Sequence, residues 1–505
     1  MTLSVDTIAG TVLSNWIAGE WRAAHGGSTA RSFNPTSGEP WYEFPDSDQR
    51  DVDDAVEAAR AALVNPAWAH LTQTERANLM RTLADLIRMN VDRLARIEVH
   101  DNGKLLREMR AQIGILPDQF NYFAGAADKL EGSTIPINRR DVLSYTVREP
   151  LGVVAVITPW NSPLYQLSWT LGPALAAGNT VVVKPSEHTT ASALALAELI
   201  EQAGFPDGVY NVVCGFGARA GDALTANRNV AKIAFTGSTL TGRKVAHNAA
   251  EHFAQCNLEL GGKSPNCVFD DAPLERALNG VIAGIFAAGG QTCVAGSRVY
   301  VQQGVYDQFV EMLVEKTRSI RLGDPLLDTT QMGPVAVHSQ LEKIHAMVEV
   351  GRASGARLLT GGRRASGELG NGWFYEPTLL EGAAHASGLV QEEIFGPVAT
   401  LTPFGDENEL IELANGTQYG LTAGVWTANL DRAMRFAARV EAGTIWVNTY
   451  RAASFTTPMG GFKSSGYGKH YGLESMREYS RVKSVMVDYS GATQDAFVMS
   501  VKGSQ

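Results

Sequence analysis

Cysteine is scarce in this chain of 505 residues: four thiols, Cys214, Cys256, Cys267 and Cys293, with no C-x-x-C pair and no histidine at zinc-like spacing. That argues against a disulfide framework and a structural zinc site; no metal is expected, and the thiols are expected to be free in a reducing compartment. Charge in blocks of one sign is also missing. The 43 Lys and Arg against 53 Asp and Glu leave a net charge of −10, spread along the chain. No basic stripe exists for nucleic acid or an anionic membrane surface. No apolar run nears the ~20 residues that a bilayer span needs, and Met1 to Ile17 lacks the basic start of a secretory leader. A small-molecule task in the cytoplasm is the expectation.

With 45% apolar and 19% charged residues the chain reads as an ordinary globular protein. At roughly 150 residues per domain its length predicts two large lobes plus an accessory element. From Asp51 to about Leu105 apolar residues recur at three and four spacing, as in Arg76-Ala-Asn-Leu-Met-Arg-Thr-Leu-Ala-Asp-Leu-Ile, which predicts amphipathic helix. From Val153 the grammar changes. Short β-branched runs at Val153 to Ile157, Thr180 to Val183 and Lys232 to Phe235 alternate with helical stretches such as Thr190 to Ala203, the pattern of a parallel sheet covered on both faces. A second series starts at Pro265, with strands expected at Asn266 to Phe269, Ser297 to Val301 and Gly443 to Val447, and helices at Leu274 to Ala288 and Gln308 to Ile320. The fold class is therefore α/β, with two Rossmann-like lobes. Ser133 to Val147 reads as a polar hairpin and Lys483 to Tyr489 as an alternating strand; paired, they would form an oligomerisation arm. Residues 490–505, small and polar apart from Phe497, Val498 and Met499, read as a loosely held tail.

Several segments carry candidate chemistry. Phe235-Thr236-Gly237-Ser238-Thr239 joins a strand to a glycine turn and places Ser238 or Thr239 to cap a helix. The free N–H groups of such a helix start suit a pyrophosphate. Gly215-Phe-Gly217-Ala-Arg-Ala-Gly221 misses the dinucleotide glycine fingerprint by one residue; for both segments an ordinary strand-to-helix turn is the plain alternative. Val181-Val-Val-Lys184-Pro-Ser186-Glu187 ends a buried strand with a cation and then a carboxylate, where open α/β sheets bind ligands. A carboxylate there accepts both hydroxyls of a ribose and repels a 2′-phosphate; a surface ion pair is the alternative. Ala287-Ala-Gly-Gly-Gln-Thr-Cys293-Val-Ala-Gly sets a cysteine among small residues, where backbone N–H groups can face an oxyanion, although such crowding also fits a tight packing crossing. Leu258-Glu259-Leu-Gly-Gly-Lys places a lone carboxylate between apolar residues, and desolvation would let it activate water near neutral pH.

In order and spacing, Thr158-Pro159-Trp160-Asn161, Val183-Lys184-Pro185-Ser186-Glu187, Phe235-Thr236-Gly237-Ser238, Leu258-Glu259-Leu260-Gly261-Gly262-Lys263, Gly290-Gln291-Thr292-Cys293 and Glu393-Ile394-Phe395-Gly396-Pro397-Val398 resemble the aldehyde dehydrogenase superfamily, over about Asn15 to Tyr489. The resemblance implies that Cys293 is the thiolate that forms a thiohemiacetal with the aldehyde, the oxyanion being held by the Asn161 amide and the Cys293 main-chain N–H. Hydride transfer to a nicotinamide would leave a thioester, which water activated by Glu259 would hydrolyse. It also implies that Lys184 and Glu187 hold the adenosine ribose, Gly237 and Ser238 the pyrophosphate, and Glu393 with Phe395 the nicotinamide ribose and ring. Ile157, Trp160, Ser186, Gly217, Phe235 and Leu260 would line the cofactor. NAD is expected because of Glu187, with NADP tolerated if that side chain swings aside. Residues 1–125 and 148–258 would form the NAD-binding domain and 259–462 the catalytic domain. Residues 126–147 and 463–489 would form the oligomerisation arm and C-terminal region of a homodimer or homotetramer.

Glu259 separates the chain from relatives that pass the acyl group to coenzyme A, so a free carboxylic acid is the expected product. A coenzyme A-acylating dehydrogenase and, from another class, a nucleotide-independent cysteine hydrolase are the rivals; no motif supplies the hydrolase with its base. The resemblance places Ser162, Tyr165, Gln166, Trp169, Thr292, Val294, Arg451, Ala453 and Met459 in the substrate tunnel. Tyr165 and Gln166 offer hydrogen bonds, and Arg451 suits an anionic or oxygenated tail, as in a semialdehyde or an oxygenated or aromatic aldehyde; an exposed or subunit-contact arginine is the plain alternative. Where many relatives carry Gly-Arg-Glu, this chain has Gly468-Lys469-His470, which removes a carboxylate sometimes assigned to proton relay.

Overall fold

The computed structural model describes residues 2–491 and Phe497; the rest of the tail expected from Ser490 onward lies outside the described residues. The long helical region resolves into Gln49–Val64, Pro66–Ala69, Gln73–Met89 and Val91–Asn102. Three of these helix ends have a local cause. Asn65 caps the short helix that Pro66 begins, Thr72 and Glu75 form a reciprocal capping box, and Gly103, at φ 69°, ends the last helix in the left-handed conformation. Met80, Leu83 and Ile87 face inward and join Phe120 and Phe123 of helix Leu116–Ala126 and Leu167 and Leu171 of helix Pro163–Ala176 in one core.

That core backs onto a first sheet whose order is Glu20–Arg22, Asn15–Ile17, Tyr210–Val212, Thr180–Lys184, Val153–Ile157, Val230–Thr236, Gln255–Glu259, Gly466–Tyr467. The five strands from Tyr210–Val212 to Gln255–Glu259 run parallel. Thr180–Lys184 is buried throughout, which is why its sequence is continuously β-branched rather than alternating. The second sheet has the order Arg357–Thr360, Thr378–Glu381, Val398–Phe404, Arg298–Gln302, Pro265–Val268, Thr422–Trp426, Thr444–Val447, parallel except for its first strand. Both predicted α/β series are present, with strands close to their expected bounds.

Two expectations are corrected. The helix expected to reach Ala288 ends at Phe286, because Ala288 and Gly289 take φ 56° and 59° and turn the chain out of the helix. The hairpin expected over Ser133 to Val147 is reduced to a single bridge, Thr134 to Tyr145. Pro136, which has no N–H to give a ladder, stands where a first strand would continue. Its second half, Val142–Pro150, also pairs with the C-terminal strand, as expected, over Ser480–Asp488 in an antiparallel ribbon, Val142 opposite Asp488 and Pro150 opposite Ser480. All four cysteines are free thiols. Among the described residues no helix is long and apolar enough to cross a membrane, and no cluster of His, Cys, Asp and Glu is grouped to hold a metal ion.

Candidate active site

The carboxyl ends of Val153–Ile157, Thr180–Lys184 and Val230–Thr236 open onto a cleft of about 320 Å³. Ile157, Trp160, Lys184, Ser186, Glu187, Gly217, Phe235, Gly237 and Ser238 all line it. The Lys184 ammonium lies 3.2 Å from a Glu187 carboxylate oxygen. Ser238 caps helix Thr239–Ala250, its Oγ accepting from the Thr241 N–H at 3.2 Å, so the helix start faces the cleft. This donor set suits a dinucleotide: a carboxylate for ribose hydroxyls, a helix N-terminus for a pyrophosphate, and apolar walls from Ile157, Phe235 and Val245 for rings.

Three expected cofactor residues stand outside that lining. Leu260 packs under the same helix, close enough that a Cβ on Gly242 would meet it at 2.4 Å. Glu393 accepts a hydrogen bond from the Gly262 N–H at 2.9 Å, and desolvation pushes its carboxyl up to about 7. Phe395, at φ 57°, meets Trp160 edge-on with centroids 5.2 Å apart. Gln340, which sequence reading missed, lines the cleft and donates to the carbonyls of Ile394 (2.6 Å) and Phe395 (3.2 Å), tying this loop to it. His188 and Lys244 also line the cleft without having been foreseen.

Asn161 and Cys293 are in the wall of a second cavity of about 630 Å³. The turn that presents Cys293 is built by close backbone approach: a Cβ on Gly290 would lie 2.0 Å from the Gly396 carbonyl, and one on Gly262 would lie 2.3 Å from the carbonyl of Cys293. Only glycine fits either place. The Gln291 side chain fastens the turn, accepting from the Ala336 N–H at 2.8 Å and donating to the Pro334 carbonyl at 3.2 Å. Its main-chain carbonyl accepts from the Asn161 amide at 3.0 Å, while Gln166 donates to the Asn161 amide oxygen at 3.0 Å. Asn161 is thereby oriented with its second N–H uncommitted.

Glu259 ends strand Gln255–Glu259 with 2% exposure, and neither of its carboxyl oxygens has a hydrogen-bond partner among the described residues. Burial pushes the carboxyl up to about 8, Lys469 acting against the rise and Glu478 with it. Burial, then Glu259 and Glu393, push the Cys293 thiol up to about 12, against which its own main-chain N–H and Lys104 act.

Every expected tunnel residue lines this second cavity: Ser162, Tyr165, Gln166, Trp169, Thr292, Val294, Arg451, Ala453 and Met459. Lys104, Gln112, Trp446 and Tyr471 line it too and were not foreseen. Lys104 is 4% exposed, donates from Nζ to Ser162 Oγ at 2.8 Å, and is pushed by burial down to about 8. A lone lysine after Asn102-Gly103 gives no signal in the sequence.

A dinucleotide cleft at the strand ends of one sheet, with a cysteine, an uncommitted amide N–H and a desolvated carboxylate close by, defines an oxidoreductase that works through a covalent thiol adduct. Residues 21–485 match the model of the aldehyde dehydrogenase family. The chain belongs to that family. Over 471 residues it is 44% identical to (Z)-2-((N-methylformamido)methylene)-5-hydroxybutyrolactone dehydrogenase of Acinetobacter baylyi, covering 93% of this chain and 96% of that one. It is 42% identical over 488 residues to hydroxyisobutyraldehyde dehydrogenase of Mycolicibacterium austroafricanum, 97% and 96% covered. The NAD+ complex of an aldehyde dehydrogenase from Bacillus cereus superposes with TM-score 0.93 at 41% identity, covering 96% of this chain and 98% of that one.

Proposed function

We propose that the protein oxidises a carboxylate-bearing or otherwise oxygenated aldehyde to its carboxylic acid with NAD, through a thioester on Cys293. The observation that carries the reading is Cys293 and the oriented Asn161 amide in one cavity wall, with the partnerless Glu259 carboxyl close enough to raise the Cys293 thiol, beside a dinucleotide cleft. The Cys293 thiol gives up its proton to water, and its sulfur adds to the aldehyde carbon while the carbonyl electron pair moves to oxygen. The second N–H of Asn161 and the Cys293 main-chain N–H hold that oxyanion. NAD, when bound by Lys184, Glu187, Ser238 and the Glu393–Phe395 loop, would take the hydride that leaves the former aldehyde carbon as the oxyanion electron pair re-forms the carbonyl, giving the thioester. Glu259 then takes a proton from water as its oxygen adds to the thioester; the C–S bond breaks and the thiolate returns to Cys293. NADH formation followed across a panel of aliphatic, aromatic and carboxylate-bearing aldehydes tests the reading. No NADH with any aldehyde, with NAD or NADP, would overturn it in favour of a hydrolase.

The substrate class rests on charge. The 630 Å³ cavity carries Lys104 and Arg451 and, among the described residues, no carboxylate in its lining, with Tyr165, Gln166 and Gln112 adding polar atoms. Charge-assisted hydrogen bonds at a desolvated site hold an anionic or oxygen-rich tail. Similarity to relatives named for a hydroxybutyrolactone and a hydroxyisobutyraldehyde supports this class. Arg451→Gln is expected to raise KM for a carboxylate-bearing aldehyde by about tenfold or more while leaving a neutral aldehyde of equal length within roughly twofold. Equal effects on both would remove the charge argument.

Glu187 supports NAD over NADP. A 2′-phosphate placed against its carboxylate meets like charge, so Glu187→Gln is expected to raise kcat/KM for NADP relative to NAD by about tenfold. An unchanged ratio would sink the assignment.

The ribbon of Val142–Pro150 and Ser480–Asp488 exposes Leu143, Val482, Met486 and Val487. An isolated two-stranded ribbon is marginal in water, which supports the reading that it joins subunits of a homodimer or homotetramer. Residues 1–125 with 148–258 as the NAD-binding domain, 259–462 as the catalytic domain, and the cytoplasm as location complete the proposal.

A further inference from the structure

His470 lies beside the substrate cavity without lining it. Its main chain is pinned to the cavity wall by two hydrogen bonds with Met459: the Met459 N–H donates to the His470 carbonyl at 2.8 Å, and the His470 N–H to the Met459 carbonyl at 2.9 Å. Its ring stacks on Trp169, centroids 4.9 Å apart and planes 27° apart. Held at both ends, the imidazole brings Nε2 to 4.0 Å from Glu259 Oε1, with both side chains 2% exposed. Among the described residues, Nδ1 of His470 and both carboxyl oxygens of Glu259 have no hydrogen-bond partner. Three buried polar atoms without partners would be costly, so an Nε2 one short rotation away from the carboxyl has a task there.

We infer that His470 is a positioning residue for Glu259, a neutral imidazole whose Nε2 holds the carboxyl in place while it gains and loses the proton of thioester hydrolysis. The inference rests on the general-base reading of Glu259 given above. As a donor, Nε2–H meets the carboxylate; in the other tautomer Nε2 accepts from the protonated acid. The charged and titratable groups facing the pair are Lys232 from strand Val230–Thr236, Lys469 and Glu478 from the C-terminal segment, and Cys293 and Tyr471 from the cavity side. Burial, with Lys232 adding to it, pushes His470 down to about 3, whereas Glu259 stands at about 8. Both shifts keep the imidazole neutral and the proton on Glu259, so the part that the geometry gives the histidine is to orient the carboxyl.

His470→Phe keeps a ring for Trp169 and removes both nitrogens, whereas His470→Gln restores a donor and an acceptor. The two variants are compared with wild type and Glu259→Gln by the pH profile of kcat, by the pre-steady-state NADH trace and by melting temperature. His470→Phe is expected to move the rise of kcat upward by about one pH unit or more, since the carboxylate loses its donor. An NADH burst is expected to precede a slowed steady state. His470→Gln is expected to return the rise to within roughly half a unit of wild type. An unshifted profile in His470→Phe, or a shift that His470→Gln leaves in place, would overturn the inference and reduce His470 to packing. Glu259→Gln that hydrolyses at the wild-type rate would instead overturn the general-base reading beneath it.

Discussion

Cys293→Ala is expected to lower aldehyde-dependent NADH formation by about 10⁴-fold or more, because removing a covalent nucleophile leaves only binding and oxyanion stabilisation. No other thiol can substitute. Cys214 and Cys267 are buried and pushed up by burial, while Cys256 is half-buried and likewise raised, and none of the three lines either cavity. The change deletes one sulfur at a partly exposed position, so stability is expected to move by only about 1 kcal/mol. NAD is expected to raise the melting temperature of the variant as it does that of wild type. Steady-state rates with paired melting curves check both halves; a loss of activity accompanied by a loss of the NAD-induced shift would point to a damaged fold rather than a missing nucleophile.

Glu259→Gln separates the two halves of the reaction. Acyl formation is expected to persist and hydrolysis to slow by about 10²–10⁴-fold, the usual contribution of a positioned base, so NADH should appear as a burst of about one equivalent per active site followed by a slow phase. The pH dependence has a definite sign. Burial favours the neutral acid, and the base is its carboxylate, so wild-type kcat is expected to climb as pH passes through about 8; the glutamine variant should lack that limb. Stability runs the other way. Between the ordinary carboxyl value of 4.5 and about 8 the native state holds a proton that the unfolded chain has released. Wild type is therefore expected to lose stability relative to Glu259→Gln as pH rises across that window. Undiminished turnover of the variant in the presence of coenzyme A would favour the acylating rival.

Much of this site is local in sequence, and that part was legible. Lys184 and Glu187 are three residues apart and line the cleft together, as their place at a strand end implied. Ser238 caps the helix it precedes, and Glu259, set between leucines, is desolvated as its neighbours imply. Both parallel sheets followed from β-branched runs, and the resemblance placed Arg451 and Met459 in a cavity with residues far away in the chain. What escaped depends on long-range packing. Lys104 reaches Ser162 58 residues on, and Gln340 supports the loop of Phe395, 55 residues away. Each is a polar side chain on or beside a helix, and no local pattern distinguishes it from a solvated one. The ribbon was half legible: Lys483 to Tyr489 alternates as strands do, but its register against Val142–Pro150 is a tertiary fact.

Mass spectrometry of Glu259→Gln, quenched in acid after mixing with NAD and an aldehyde that wild type oxidises, tests the covalent mechanism most directly. The account predicts an added acyl group on the peptide containing Cys293, formed in step with the NADH burst and absent when NAD is omitted. A burst of NADH with an unmodified Cys293, or the acyl group on another residue, would contradict it.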